Sequence, residues 1–431
     1  AAILPVVTSY GPAQYSCVLE GSDTYYYDSE ETIYKRLFQD LKEAVEWLKD
    51  FRDSSPSQDL LDDFKRADKV CDGDIDKWIK FANTLRLRIA MQLVKVYPDS
   101  QKEAEDAVRD GVLTNSDSDV VLKSGLMLFR IEDLWNDTRA NANIISILQG
   151  YSDPRLERWF ATNNADIYST DDELSPVVEK ATKYLGVRQG VPMTRTEYQG
   201  YSKTSRVGIP EQGPRPVLRV AEAYFLRAEG MLRNWNMGDG TPESLYNEGI
   251  HSAWASVLGD ESGWAGTYES YINGFINTEE GGDFDWELFE GGFGSAPYIN
   301  YRNQEYNYYI EENGKQVGIN RISVRWHDED SPEKKLQRII TQKWISFFPT
   351  LSSVAWTEYR RTGYPKLIPI PSDLNYSNGA IDTELQIRRL PFTQSEYRGN
   401  TEEVNKALGL LKGPDNGGTR LWWDVDKGNF E

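Results

Sequence analysis

The chain has 431 residues, 27% of them charged and 12% aromatic, with 68 Asp and Glu against 48 Lys and Arg for a net charge of −20. That length holds one large domain or two to three ordinary ones, and 25 tyrosines with 13 tryptophans exclude a disordered acidic chain, which lacks the apolar surface to fold. The negative field repels phosphate backbones and anionic headgroups, so no nucleic-acid partner is expected.

Taken in chain order, the start "AAILPVVTSYG" lacks the basic n-region and long apolar centre of a signal peptide, and it reads as the interior of a longer chain. Nowhere does an apolar run approach the roughly 20 residues of a membrane helix. Over 31–51, Ile33, Leu37, Leu41, Ala44, Val45 and Leu48 recur at the spacing of one helix face. Over 74–97 the stripe is Ile75, Trp78, Ile79, Ala82, Leu85, Ile89, Ala90 and Leu93. Together these predict a helical hairpin.

A loop-rich insertion is expected over 98–215, containing "LWND" with Trp135 and Asn136. Helical spacing returns in "RPVLRVAEAYFLRAEGMLRNW", where Val217, Ala221, Tyr224, Phe225, Ala228 and Leu232 share a face while Ala223 and Gly230 permit close backbone approach. Its partner begins with Thr241 as N-cap and Pro242 at the first helical position, and Gly259 supplies a stop. The pair covers about 217–258. A second insertion, 259–330, is dense in glycine and aromatics, as in "ESGWAGTYESYINGF" and "GGDFDWELFEGGFGSAPYINYRNQEYNYY".

Over 331–362, Ser331 caps a helix with Pro332 next, and Leu336, Ile339, Ile340, Phe347 and Phe348 mark its buried face. A shorter helix carries Val354, Ala355, Trp356 and Tyr359, with Arg360 and Arg361 in its last turn, where the helix dipole favours cations, and Gly363 beyond. A last helical stretch spans about 401–412. The fold class read from this is all-α: stacked helix pairs of tetratricopeptide type with long loop-rich insertions, although no 34-residue period is legible.

Catalytic and metal motifs are sparse. The two histidines, His251 and His327, stand in no nucleophile motif, and no G-x-S-x-G, P-loop or H-E-x-x-H occurs. Cys17 and Cys71 lack metal-knot spacing; they could pair or stay free. Asp72, Asp74 and Asp76 alternate as in a calcium loop, but Asn83 stands where an EF-hand needs its bidentate Glu, and Asp74 reads as a helix N-cap. Asp283 and Asp285 in "GGDFDW" are the weak candidates for calcium; no other cofactor is expected. A glycosidase needs only two carboxylates at a suitable separation, an alternative that 68 acidic residues leave open. The aromatic insertion is the more informative feature. Sugar rings pack C–H faces on indole and phenol planes while a few polar groups take the hydroxyls. Trp264, Tyr268, Trp286, Tyr306 and Tyr308 are the platform candidates, with Trp135 and Asn136 as runners-up, whereas Trp344, Trp356, Trp422 and Trp423 read as scaffold.

Seven ordered segments carry a resemblance: "DGDIDKWIKFANTLRLRIAMQL", "PRPVLRVAEAYFLRAEGMLRNWNMG", "LYNEGI", "LQRIITQKWISFFP", "AWTEYRRTGYPKL", "RRLPFTQSEYRGN" and "LWWD". The chain resembles, from about residue 10 to 424, the SusD/RagB nutrient-binding outer-membrane lipoproteins of Bacteroidetes. The resemblance implies a single SusD-like domain over 1–431, with a tetratricopeptide-type scaffold. It implies a surface-exposed outer-membrane lipoprotein that binds glycans, or peptides in some members, without catalysis and delivers them to a SusC-like TonB-dependent transporter. It implies also a signal peptide, a lipid-carrying cysteine and further helices ahead of "SYGPAQYS", which is similar to a family turn normally well inside the chain; Cys17 follows no lipobox. The remaining alternative class is a helical-repeat adaptor for proteins.

Overall fold

The structure is a computed structural model that describes residues 3–123, 138–162, 184–203, 215–258, 268, 271–272, 294–300, 304–312 and 314–431. Among these residues helices dominate. The first group is α1 (Leu4–Tyr10), α2 (Ser16–Glu20), α3 (Glu30–Asp53), α4 (Gln58–Ala67), α5 (Ile75–Gln92) and α6 (Ser100–Arg109). Three short helices follow, α7 (Ala142–Gly150), α8 (Arg155–Trp159) and α9 (Arg195–Gln199), then the pair α10 (Val220–Leu232) and α11 (Pro242–Leu258). The chain closes with α12 (Pro332–Ser346), α13 (Ser352–Thr362), α14 (Gln394–Gly399) and α15 (Thr401–Leu408). Strands are minor: β1 (Val120–Leu122) pairs antiparallel with β2 (Arg215–Leu218), Val120 opposite Leu218, and β3 (Ile310–Glu312) pairs with β4 (Lys315–Val317) in a hairpin.

The helix starts follow from their caps. The Ser29 hydroxyl accepts from the Thr32 N–H at 3.2 Å, Asp74 from Lys77 N–H at 2.9 Å, Thr241 from Ser244 N–H at 3.1 Å and Ser331 from Lys334 N–H at 3.3 Å. Each satisfies a donor that a helix cannot pair internally. Asp74 is thus the predicted cap, while Asp72 pairs with Lys123 and Asp76 with Arg52 at 2.7 Å. The stop of α13 is Gly363, in the left-handed region at φ 77° with its N–H returned to the Tyr359 carbonyl at 2.7 Å.

Packing runs sideways through the scaffold: α3 lies on α5, α5 on α10, α10 on α12 and α12 on α13. The α10–α11 pair is close enough that a Cβ on Gly249 would meet the Phe225 ring at 2.8 Å, while one on Gly230 would meet the sulfur of Met237, in the connection between the two helices, at 2.5 Å. One continuous cluster of buried side chains, from Leu4 to Trp423, joins α3, α5, α10 and α12, and α13 packs beside it through a smaller cluster of Phe347, Leu351 and Ala355.

Several helices depart from the expected plan, among them α4 and, inside the stretch 98–215 expected to be loop-rich, α6, α7, α8 and α9. α4 forms between the members of the predicted hairpin, with no buried residue of its own. α6 occupies the start of the stretch expected to be loop-rich from residue 98; it packs on α5 through Ala104 and Ala107. Alanines carry little hydrophobic periodicity, so the stripe was too faint to read. Cys17 and Cys71 are buried free thiols.

Candidate functional site

A wide concavity lies beside α13. A cavity of about 830 Å³ has the size of small-molecule sites, roughly 300–1,000 Å³. One wall is aromatic: Trp344 and Phe347 from the end of α12, Phe348 from the turn after it, and Trp356 and Tyr359 from α13. Phe348 is itself held by Trp159 and Phe160, with ring centroids 4.9 and 5.2 Å away. The lining also includes Thr138, Arg139 and Asn141 from the lead-in to α7 and Asn143 from its first turn, together with Gln189 and Gly190. Leu367, Ile370, Gln386, Ile387 and Leu390 complete the rim.

The polar lining groups are held in place. The Asn141 side chain caps α7, accepting from the Asn143 N–H at 2.8 Å, and Asn143 Oδ1 accepts from the Ile368 N–H at 2.7 Å. The Tyr359 hydroxyl donates to the Glu384 carbonyl at 2.8 Å. Gln386 sits at φ 57°, a left-handed conformation uncommon for a residue other than glycine, and such backbone tends to occur at functional sites.

Trp356 is the most constrained lining aromatic. It is half-buried, its Nε1–H donates to the Ile387 carbonyl at 3.0 Å, and the Arg360 guanidinium lies 3.6 Å from its ring centroid. Arg360 continues to Trp423, 4.8 Å from that ring, and donates to the Arg388 carbonyl at 2.7 Å. Burial pulls its pKa down to about 9, with Asp424 opposing the shift, so it is cationic at neutral pH.

Arg361, one residue on, points into the scaffold. It donates to Glu229 at 2.6 and 2.7 Å and to Glu358 at 2.5 Å; Glu358 pairs with Lys343 at 3.0 Å and Glu229 with Arg233 at 2.9 Å. Burial disfavours ionising Glu229, but Arg361 and Arg233 outweigh it and hold the carboxyl well below its usual range. The arginine pair is therefore structural, as its place in the sequence suggested. The physical reason differs: side-chain pairing and stacking hold it, beyond any helix-dipole contribution.

The sequence-predicted residues distribute unevenly. Trp135, Asn136, Trp264, Trp286, Asp283 and Asp285 lie outside the described residues. Tyr268 packs over α11, edge-on to Trp254 at 5.7 Å and to His251 at 5.1 Å, and its hydroxyl donates to the Asn247 carbonyl at 3.2 Å. Tyr306 and Tyr308 come together around Arg188: the guanidinium lies 5.1 Å from the Tyr308 ring centroid and donates to the Tyr306 carbonyl at 2.9 Å. Neither lines the cavity, yet Arg188 directly precedes Gln189 and Gly190, which do. Among the described residues no group of three or more His, Cys, Asp or Glu could hold a metal ion.

Of the four tryptophans read as scaffold, Trp344 packs against the core cluster, and two also reach the cavity. Trp423 is buried and Trp422 stacks on Tyr34 at 6.1 Å, but Trp344 and Trp356 line the cavity. Their signal was present: Trp356 and Arg360 stand at i and i+4, the spacing at which helical side chains meet. What the spacing could not give was the open face, because other lining residues come from positions about 200 earlier.

Compared with known families, residues 1–268 and 293–424 match the family described as SusD-like, Susd and RagB outer membrane lipoprotein. The chain belongs to the SusD/RagB family. A chitin-binding SusD homologue from Flavobacterium johnsoniae is 37% identical, with a TM-score of 0.80 over 99% of this chain and 79% of that one. SusD homologues from Bacteroides vulgatus (31% identity, TM-score 0.80, 100% and 78% covered) and Bacteroides ovatus (31%, 0.76, 98% and 80%) are similarly alike. No curated protein matches the sequence. Family membership makes this chain a nutrient-binding cell-surface protein of the outer membrane, on a helical tetratricopeptide-like scaffold. No helix among the described residues is long and apolar enough to cross a membrane.

Proposed function

We propose that this SusD-like protein captures an oligosaccharide in the cavity beside α13 and hands it, uncleaved, to a SusC-like TonB-dependent transporter. The observation that carries the reading is Trp356: a half-buried indole, fixed by Arg360 behind it and by Ile387 at its edge, on the wall of a cavity sized for a small ligand. An immobilised indole offers a sugar C–H face a flat partner without ordering cost. Thr138, Asn141, Gln189 and Gln386 supply polar edges. The chitin-binding relative supports a saccharide.

Two features favour a carrier over an enzyme and a sugar over a basic peptide. Glycosidases need a pair of carboxylates at the scissile bond, and among the described lining residues there is no Asp, Glu or His. The same lining offers no counter-charge to Lys or Arg side chains. The acidic body, net −20, is the one feature that favours peptides.

Trp264 and Trp286, with Trp135 and Asn136 close in sequence to Thr138, are proposed as further ligand contacts. Calcium at Asp283 and Asp285 is a separate proposition; it requires that chelation weaken binding. The deciding experiment is a glycan array and a mixed peptide pool probed with purified protein, followed by chromatography of the bound glycan. Binding of an intact oligosaccharide is expected. Peptide binding alone, or shortened glycan products, contradicts the reading.

A further inference from the structure

We infer that Asn143 is a specificity-determining residue of the cavity: its side-chain NH2 group takes a carbonyl oxygen of the ligand, so the site prefers saccharides carrying an acyl or carboxylate substituent over those carrying hydroxyls alone. The inference rests on the saccharide reading above and names the kind of substituent the sugar brings.

Asn143 is only 4% exposed, yet it lines the cavity. Its orientation is fixed by chemistry, because the Ile368 N–H, 2.7 Å away, can only donate and so holds Oδ1 as the acceptor. Ile368 is itself buried, at 3% exposure, and turning the amide over would leave its N–H facing another donor. The Nδ2 end is what remains for the cavity, and among the described residues it donates to none. A buried donor without an acceptor is costly. A ligand oxygen supplies the missing partner.

The surroundings favour an oxygen that only accepts. Asn143 is the second residue of α7, whose first turn carries the positive end of the helix dipole. Asn141, the cap, holds the Asn143 N–H on its own Oδ1 at 2.8 Å, so it too offers the cavity N–H groups. A sugar hydroxyl can accept from Nδ2, but its own proton then needs an acceptor, and both asparagine oxygens already hold a backbone N–H. A carbonyl oxygen has no proton to place. Ile144, Phe160 and Phe348 stand in the same lining and give the carbon end of such a substituent apolar neighbours. Asn141 is half-buried, so water replaces a ligand there more readily than at Asn143, which carries the discrimination.

The test titrates purified protein calorimetrically with matched oligosaccharides of gluco and galacto configuration: hydroxyl parents, C2 acetamides and C6 carboxylates. One carbonyl form is expected to bind about five- to tenfold more tightly than its parent, the worth of one hydrogen bond, and which form does so names the substituent. Asn143→Asp keeps an acceptor for the Ile368 N–H but puts an oxygen where the donor was; it should remove the preference with little change in melting midpoint. Asn141→Asp places the same charge at the cap and leaves Asn143 intact, so it should reduce the preference less. Should Asn143→Asp fail to fold, a crystal structure of the wild-type complex decides, by whether a ligand carbonyl oxygen lies within hydrogen-bond distance of Nδ2. Equal binding of parents and carbonyl forms, or a preference that survives Asn143→Asp or falls as much in Asn141→Asp, overturns the inference and leaves the saccharide reading standing. Failure of every sugar to bind removes that reading and the inference with it.

Discussion

The two faces of α13 are built from adjacent residues and behave as different materials. On the scaffold side Arg361, Glu358, Lys343 and Glu229 form a closed ionic network without solvent contact. On the cavity side Ser352, Ala355, Trp356 and Tyr359 present a mostly apolar wall. Arg360 belongs to neither alone: it is buried like Arg361 but spends its charge on the cavity tryptophan. One residue step turns a helix side chain through about 100°, so neighbours in sequence separate into scaffold packing and cavity lining. Rigidity behind the cavity and an open ring in front of it require each other, since a ligand platform that moves loses affinity to ordering.

Breaking the network is expected to have the largest effect. Glu229→Ala leaves Arg361 and Arg233 facing a buried gap, and removal of one partner from a buried pair costs about 3–5 kcal/mol. Urea denaturation measures this; a loss below about 1 kcal/mol would show that water enters the network and that the two faces do not differ as described.

Proton linkage at Glu30 tests the same seam from the other side. Burial raises its carboxyl to about 7 against the partial relief of the Trp422 N–H, Arg360, Arg389 and Lys412. The unfolded value is near 4.3. Between these values the folded protein keeps a proton that the unfolded chain has released, so Glu30 contributes stability that is fully present at low pH and lost as pH rises through about 7. From pH 5 to 8 the loss is on the order of 3 kcal/mol. Glu30→Gln should flatten that part of the stability profile; identical slopes for the two proteins contradict the assignment.

Next in size is Ala228→Trp, beside Glu229 on the buried side of α10. Overpacking there should cost about 1–3 kcal/mol, and an unchanged urea midpoint would mean the α10 seam has slack. The smallest effects are expected at Trp264 and Trp286. Trp264→Ala and Trp286→Ala should each leave the melting midpoint nearly unchanged and weaken glycan binding about two- to tenfold. A large stability loss in either would put that residue in the scaffold instead.

The scaffold was largely legible in the sequence because its signals are local. Capping residues Ser331, Thr241 and Asp74, the stripe through Ile79, Leu85 and Ile89, and the Gly363 stop each act within a few positions. The helix α6 was missed since its buried face, Ser100, Glu103, Ala104 and Ala107, holds no large apolar side chain. The cavity was not legible for a different reason. Its walls join Trp356 to Asn141, Gln189 and Ile387, and nothing in local spacing encodes that meeting. Trp356 therefore read as core, a role that Trp423, fully covered on the far side of Arg360, fills.

The central claim is that Trp356 is a ligand platform held by the scaffold without being part of its core. Titrating the preferred glycan into wild-type and Trp356→Ala protein, with thermal melts of both, tests it most directly. Affinity should fall about tenfold or more, while stability falls by less than the roughly 3–5 kcal/mol of a fully buried Trp→Ala truncation. Unchanged affinity together with a stability loss of that full size contradicts the account and returns Trp356 to the core.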